Sequence, residues 1–243
     1  MFSMRRRTRA PTRSTSASHV ERHAETGRGL NDALTRVVAV RHGETAWNVQ
    51  TRIQGQIDIA LNAAGREQAQ RLARALAGEH FDAVYASDLR RAADTARALA
   101  ERVGMAVHTD ASLRERSFGS FEGLTWAEVE QQHPEASRRW RERDAGFGPP
   151  GGESLAVFYE RAVSALAAIA ARHRGEHIAI VTHGGVLDAL YRAASRIALD
   201  APRTWQLGNA SINRVLHGEQ GFTLVGWNDN GHLSGPAIDE ASA

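Results

Sequence analysis

The sequence predicts an α/β fold, a three-layer sandwich with a mostly parallel central sheet. Short β-branched runs alternate with longer helix-like segments across residues 35–230, as expected when helices connect parallel strands. Two of the runs, residues 37–40 and 178–181, contain only apolar side chains, which is typical of strands buried on both faces. The 243-residue length and the hydrophobic content of 42 % provide enough apolar material for one such core.

Hydrophobic periodicity and cap residues place the individual elements. The predicted strands in chain order are residues 35–40, 81–85, 105–108, 178–181, 212–216 and 222–225. The predicted helices are residues 62–77, 88–102, 124–132, 134–143, 154–173 and 186–195, with a loop at 46–60 and a turn at 149–152. Asn62 and Ser154 are expected N-caps, because short polar side chains accept hydrogen bonds from the first free N–H groups of a helix. Ser87 or Asp88 is the expected cap of the helix after the second strand.

The two ends of the chain differ from its body. Residues 1–34 carry seven arginines, three acidic residues and few bulky apolar side chains, so we expect a disordered Arg-rich tail. Residues 35–230 are the expected folded domain, and residues 231–243 a C-terminal tail. The first segment accounts for a net charge of +4 in a chain whose total is +2, so the rest sums to −2. A body without excess positive charge argues against a nucleic-acid partner.

Two residue types are missing from the whole sequence. There is no cysteine, which excludes disulfides, thiolate metal sites and a cysteine nucleophile, and fits a reducing, cytoplasmic compartment. All 30 basic residues are arginine, so any anion site must use Arg, His or backbone N–H groups. Lysine Schiff-base chemistry and a Walker-type phosphate loop are therefore excluded. No run approaches the roughly 18 apolar residues of a membrane span.

Histidines follow two of the predicted strands at the point where each strand ends. The first strand leads into Arg41-His42-Gly43, and the strand at 178–181 leads into His183-Gly184. Ligands of parallel sheets bind beyond the carboxyl ends of the strands, so we expect the two histidines at one edge of the sheet. An arginine fork matches phosphate oxygens, and glycine lets backbone N–H groups approach an anion. The arrangement suits the handling of a phosphoryl group.

At this point the sequence resembles a known family. The letters RHGET followed by WN resemble the signature of the histidine phosphatase superfamily, the phosphoglycerate mutase-like enzymes, and further motifs extend the likeness over about residues 36–227. The resemblance implies that His42 is the nucleophile that becomes phosphohistidine and that Arg41 is the first arginine of a phosphate clamp. It also implies that Asn48 lies in the phosphate pocket, and that Gln54 and Gly55 lie where the following loop reaches the substrate.

A second arginine of the clamp is expected within SDLRRAADTA, residues 87–96, which resembles a helical stretch of the same family. Alignment on the letters RA and TA favours Arg91 and keeps Arg90 as a second candidate. The other arginine of this pair is then a solvent-facing charge on the helix.

The acid is expected within LRERSFGSFEG, residues 113–123, which resembles the family's acid block. The resemblance implies that Glu115 donates a proton to the leaving oxygen, because an alkoxide leaves poorly unless it is protonated. Glu122 is a competing carboxylate that we expect to support the loop.

Two further stretches complete the candidate site. VTHGG resembles the segment of the second active-site histidine, so His183 would hold the phosphoryl oxygens and Gly184 would offer a backbone N–H. PPGGES resembles a turn before the long helix, where Glu153 is expected to face the pocket and Ser154 is a substrate-binding candidate as well as an N-cap. The family needs no metal or cofactor, and no cluster of carboxylates predicts a metal site here.

The resemblance leaves open which acceptor receives the phosphoryl group. Only residues 124–149 separate the acid block from the PPGGES turn, and the extra segments and lysine contacts of mutases are missing there. The favoured interpretation is a compact phosphatase that acts on a small phosphomonoester of the sugar, glycerate or ribazole phosphate class. A cofactor-dependent phosphoglycerate mutase is the alternative, and a catalytically silent phosphate-binding module is a more remote one. The oligomeric state is open, with a homodimer as one option.

Overall fold

A computed structural model describes residues 33–234 of the chain. Its strands are β1 (Thr35–Arg41), β2 (Ala83–Ala86), β3 (Val107–Thr109), β4 (His177–Thr182), β5 (Ile212–Gly218) and β6 (Gly221–Asp229). Its α-helices are α1 (Ala46–Val49), α2 (Ala63–Ala75), α3 (Arg90–Val103), α4 (Trp126–Gln132), α5 (Pro134–Arg141), α6 (Leu155–Ala171) and α7 (Gly184–Ser195). Of the tails expected at 1–34 and 231–243, residues 1–32 and 235–243 lie outside the described residues.

The strands form one mixed sheet in the order β3-β2-β4-β1-β5-β6. Strands β3, β2, β4 and β1 are parallel to one another, and β5 and β6 continue the sheet in antiparallel pairs. The predicted α/β fold is confirmed. Since β1 and β4 are neighbours in register, with Arg41 opposite Thr182, their carboxyl ends lie side by side.

Strand β1 alternates its side chains between two apolar cores. Val37 and Ala39 pack with α6 and α7 on one face, whereas Val38 and Val40 pack with α2 and α3 on the other. All four side chains are at most 2 % exposed, so both faces of the strand are buried. Burying a valine side chain stabilises a fold by roughly 1.5–3 kcal/mol, and this packing fixes the strand from which the first histidine projects.

Local structure departs from the sequence prediction around two of the helices. Part of the expected loop at 46–60 is helical, because Thr45 and Asn48 form a reciprocal capping box that starts α1. Neither Ser87 nor Asp88 caps α3, so that prediction was wrong: the N-cap is Leu89. The Asp88 carboxylate instead pairs with Arg114, at 2.6 Å.

The described fold continues past the domain end predicted at residue 230. A 3₁₀ turn at Gly231–Leu233 packs against α2, and Arg71 Nη1 donates to the Leu233 carbonyl at 3.0 Å. Within residues 33–234 no helix has the length and apolar character needed to cross a membrane.

Candidate active site

The histidines that follow β1 and β4 lie next to each other. His42 donates its backbone N–H to the Thr182 carbonyl at 2.9 Å, which extends the β1–β4 pairing to the last residue before His183. The ring centroids of His42 and His183 are 5.3 Å apart, and both side chains are buried. The structure thus brings together the two histidines expected at one edge of the sheet.

The hydrogen bonding of His42 determines which ring nitrogen is reactive. Nδ1 lies 2.7 Å from the Gly43 carbonyl oxygen, which can only accept, so Nδ1 carries the proton and Nε2 keeps its lone pair. Burial, followed by the charges of Arg91 and Arg41, holds the pKa of His42 well below its ordinary value of 6.5. The imidazole is therefore neutral at physiological pH, which a nitrogen nucleophile requires.

Arg41 and Arg91 are desolvated beside this ring and are held by backbone carbonyls. Arg91 donates to the carbonyls of Ile57 (2.9 Å) and Gly55 (2.7 Å), and Arg41 donates to that of Leu207 (2.7 Å). Burial lowers the pKa of each guanidinium to about 10, so both stay protonated at neutral pH. The Nε atom of each is buried without a hydrogen-bond partner among the described residues. Two positive charges with unused donors form a site for an anion.

Thr95 links the nucleophile loop to the helix that carries Arg91. Its hydroxyl accepts from Gly43 N at 3.0 Å and donates to the Arg91 carbonyl at 2.7 Å, one helical turn earlier. This buried bridge fixes His42 and Arg91 relative to each other.

The structure separates the two adjacent arginines of α3. Arg91 is completely buried beside the histidines, whereas Arg90 is exposed and lines a different cavity together with Arg66 and Arg97. This placement favours Arg91 over the second candidate, Arg90, as the clamp arginine, because successive residues of a helix face directions about 100° apart. Arg91 is the residue that the helix brings to the site.

Two amides of the predicted phosphate pocket have their oxygens engaged. Asn48 Oδ1 accepts from Thr45 N (3.0 Å) and from Asn209 Nδ2 (3.3 Å), and Gln54 Oε1 accepts from the Thr45 hydroxyl (3.1 Å). Their NH₂ groups are consequently the ends left for a ligand, and these groups donate to anions. Gly55 contributes through its backbone, because its carbonyl accepts a hydrogen bond from Arg91.

Asn209 is a part of the site that sequence reasoning missed. Its Nδ2 donates to the His42 carbonyl at 3.0 Å and approaches Asn48, so it ties the nucleophile's backbone to the amide beside it. The residue lies in the irregular segment between α7 and β5, where no local pattern indicated contact with β1.

Glu115 is fixed by two backbone N–H groups. Its Oε1 accepts from Arg116 N at 2.8 Å and its Oε2 from Gly185 N at 2.9 Å, in the first turn of α7. A Cβ added at Gly185 would lie 2.2 Å from Glu115 Oε1, so a side chain at this position would displace the carboxyl group. The carboxyl group lines a cavity that Arg41 also lines, where a leaving group can be protonated.

Glu122 does not share that position. Its Oε1 accepts from the backbone N–H groups of Gln56 and Phe118, both at 3.0 Å. It therefore joins two loops of the site, in the supporting role expected for it.

His183 has no partner for either ring nitrogen among the described residues, although the side chain is fully buried. Burial and the charges of Arg91, His42 and Arg41 hold its pKa well below 6.5. Gly184, the first residue of α7, lines the same cavity as Arg41. Buried polar atoms are nearly always hydrogen-bonded, so an unpaired ring at this place indicates that a ligand completes it.

Two expected substrate contacts are structural instead. Glu153 pairs with Arg161 at 2.7 Å and accepts from Ser117 N at 2.8 Å, so its carboxylate is occupied. Ser154 caps α6 through its hydroxyl, which accepts from Val157 N. Neither side chain lines the cavity beside Glu115, so the geometry does not support the prediction that they bind substrate.

The cavity beside Glu115 has a volume of about 280 Å³. Its apolar lining residues are Phe118, Trp140, Leu155, Phe158 and Leu207, and its charged ones are Arg41, Glu115, Arg116, Arg143, Asp188 and Arg203. Most of this lining was not predicted, because it comes from side chains far apart in sequence. Among residues 33–234, no three His, Asp or Glu side chains form a group that fits a metal ion.

Comparisons with known proteins agree with the resemblance noted in the sequence. The model of the "Histidine phosphatase superfamily (branch 1)" matches residues 37–230. The chain is 42 % identical over 202 residues to phosphoglycerate mutase-like protein 4 of Arabidopsis thaliana, covering 81 % of the chain and 86 % of that protein. It is 41 % identical over 208 residues to a metal-independent phosphoserine phosphatase of the same plant, covering 84 % and 86 %. The solved structure of mycobacterial glucosyl-3-phosphoglycerate phosphatase has a TM-score of 0.72 at 35 % identity, covering 80 % of this chain and 99 % of that one.

Proposed function

Because this chain belongs to the histidine phosphatase superfamily, we propose that it is a metal-independent phosphomonoester hydrolase. It acts on a small phosphorylated metabolite through a phosphohistidine at His42. One observation carries the proposal: buried nitrogens without partners, on Arg41, Arg91 and His183, surround a neutral His42 whose Nε2 is free. A phosphoryl dianion would satisfy these donors and balance the two guanidinium charges.

In the first step, Nε2 of His42 attacks phosphorus in line with the leaving oxygen. A P–N bond forms while the P–O bond to the leaving group breaks, and Glu115 transfers its proton to that oxygen. Arg41 and Arg91 stabilise the charge on the equatorial oxygens, and a ring nitrogen of His183 adds a hydrogen bond. Positioning and electrostatic stabilisation dominate phosphoryl transfer, which fits a site whose donors are fixed by backbone carbonyls and buried contacts.

In the second step, water replaces the leaving group in the cavity. The water oxygen attacks phosphorus while the P–N bond breaks. Glu115, now a carboxylate, accepts the proton that the water loses. Inorganic phosphate and a neutral His42 result, and Glu115 is protonated again for the next cycle. The same carboxyl group is acid in one half-reaction and base in the other.

Hydrolysis is favoured over mutase chemistry by the short segment between the acid block and the long helix. In this chain that segment holds α4 and α5 and contains no lysine. Two of the relatives are named phosphatases, and another is named a phosphoglycerate mutase-like protein. Isomerisation of a phosphoglycerate must therefore be measured as well as phosphate release.

The proposal is tested by measuring phosphate release from sugar, glycerate, seryl, nucleotide and ribazole phosphates, with His42→Ala as control. We expect release from at least one class by the wild type and none by the variant. Release that survives in the variant would overturn the phosphohistidine mechanism. Isomerisation of a phosphoglycerate without net release would identify a mutase instead. Cytoplasmic location and homodimer formation stay predictions, to be checked by fractionation and by light scattering.

A further inference from the structure

One wall of the cavity beside Glu115, formed by Arg143, Asp188 and Arg203, carries more positive than negative charge. Asp188 of α7 is approached by three arginines, namely Arg143 (3.2 Å), Arg192 (3.0 Å) and Arg203 (3.7 Å). One carboxylate facing three guanidinium groups leaves two positive charges uncompensated. In the mechanism above, the transferred phosphoryl group already balances Arg41 and Arg91, so it does not neutralise this wall.

The three arginines divide into one that is structural and two that line the cavity. Arg192 is completely buried behind the wall, where it donates to the Ala198 carbonyl at 2.6 Å and stacks over Trp205. Arg143 and Arg203 line the cavity together with Glu115. A leaving group bound in the cavity beside Glu115 would therefore face two guanidinium groups, those of Arg143 and Arg203.

Both cavity-lining arginines keep unused donors. Arg143 uses Nε for the Leu199 carbonyl (2.9 Å) and Nη2 for Asp188, whereas Arg203 uses Nε for the Trp205 carbonyl (3.1 Å). The remaining terminal nitrogens, Nη1 of Arg143 and both of Arg203, have no hydrogen-bond partner within residues 33–234. Asp188 Oδ1 is buried and accepts no hydrogen bond there, although Arg203 Nε lies 3.7 Å from it. Asp188 thus lies beside both guanidinium groups but leaves their remaining N–H donors without a partner.

Arg143 is positioned by the C-terminal cap of α5. Its φ of 54° is in the left-handed region, and Arg143 N and Asp144 N donate to the carbonyls of Trp140 (3.0 Å) and Arg139 (3.1 Å), as in a Schellman motif. From this position the side chain contacts Asp188 and the Leu199 carbonyl. Burial, partly offset by Asp188, lowers the pKa of Arg143.

We infer that Arg143 and Arg203 form a second anion site, which selects phosphomonoesters whose leaving group carries its own anionic group. This rests on the proposed function, because the leaving group must occupy the cavity beside Glu115. A guanidinium fork matches a carboxylate and a second phosphoryl group alike, so the shared chemistry is an anion joined to the scissile ester. The carbon skeleton between the two anions packs against the apolar lining, which includes Phe118 and Trp140.

The test compares matched substrate pairs that differ only in the second anion. Phosphoserine is paired with phosphoethanolamine, 3-phosphoglycerate with glycerol 3-phosphate, and fructose 1,6-bisphosphate with fructose 6-phosphate. The wild type is expected to prefer the anionic member of a pair by at least tenfold in kcat/KM. Arg203→Ala, which removes a side chain that is 38 % exposed, should reduce that preference to near unity, mainly through KM.

Two further variants isolate the guanidinium. Arg203→Lys keeps the charge but not the fork, and should restore only part of the preference. Arg102→Ala removes an exposed arginine of α3 and should leave every ratio unchanged. Loss of preference confined to the phosphoserine and phosphoglycerate pairs identifies a carboxylate site, and loss confined to the bisphosphate pair identifies a second phosphoryl site.

An active wild type with no preference within any pair, or a preference that Arg203→Ala leaves intact, overturns the second anion site while the proposed hydrolase stands. Absence of phosphate release from every substrate would instead contradict the proposed function itself.

Discussion

Gly185→Ala should disturb the acid, Glu115, without disturbing the other residues of the catalytic site. An alanine Cβ at this position would lie 2.2 Å from Oε1 of Glu115 and 3.1 Å from Cζ of Phe158. The phenyl ring belongs to the buried core and the helix backbone is fixed by its own hydrogen bonds, so the carboxyl group is the part that must move. His42, Arg91 and His183 keep their own contacts.

The size of the effect follows from the distance. Restoring ordinary contact requires the carboxyl group to move by about 1 Å, which also weakens its hydrogen bond with Gly185 N. A displacement of this size can reduce a rate by about 100-fold, which corresponds to about 2.7 kcal/mol in the activation free energy. The loss should be selective, because only a leaving group that must be protonated depends on Glu115.

The assay is kcat/KM for two substrates of different leaving-group basicity. An alkyl phosphomonoester should lose about 100-fold in Gly185→Ala, whereas p-nitrophenyl phosphate, whose phenolate leaves without protonation, should lose less than tenfold. Gly226→Ala is the matched control, since a Cβ added at this residue of β6 would meet no other atom within 4 Å and the residue does not line the cavity. Thermal unfolding of both variants shows whether either fold is disturbed.

Equal losses on both substrates would refute the assignment of Glu115 as the proton donor. So would a Gly185→Ala enzyme that retains full activity on the alkyl substrate while remaining folded.

Three other outcomes are expected. Arg91→Lys should lower kcat/KM about 100-fold, because lysine cannot reproduce the fork held by two carbonyls, whereas Arg90→Ala should change it less than threefold; steady-state kinetics checks both. Burial holds the pKa values of His42 and His183 well below 6.5, so below that pH the unfolded chain binds more protons than the folded one. Stability should therefore fall from pH 6.5 towards 4.5 by up to about 1.4 kcal/mol per pH unit for each histidine, and replacing both with asparagine should flatten this slope in urea unfolding. Glu153→Ala should cost about 1–2 kcal/mol of stability and leave KM unchanged, since this carboxylate forms a partly buried ion pair and does not line the cavity.

The sequence predicted the parts of the fold and site that depend on local patterns. Apolar runs located β1 and β4, and the residue that follows each of these strands is one of the two histidines of the site. Ser154 was predicted as an N-cap for the same reason, because the capping preference is local to one turn of chain.

Other parts depend on contacts that no local pattern encodes. The choice between Arg90 and Arg91 follows from the rotation of α3 against the sheet, which is set by packing. Arg203 and Asn209 belong to an irregular segment whose path is fixed by distant hydrogen bonds, such as that between Gly208 N and Asn228 Oδ1 at 2.7 Å. The resemblance of PPGGES to a family turn predicted that Glu153 faces the pocket, but its carboxylate pairs with Arg161, two helical turns later.

The central claim, a covalent intermediate on His42, is tested most directly by trapping it. The enzyme is mixed with a substrate identified in the screen, quenched in base within one turnover, and analysed by peptide mass spectrometry and ³¹P NMR. The mechanism predicts an acid-labile phosphoryl group on Nε2 of His42, present in the wild type, more abundant in Glu115→Gln with p-nitrophenyl phosphate, and missing in His42→Ala. Turnover without a phosphorylated histidine, or a phosphoryl group on His183 instead, would contradict it.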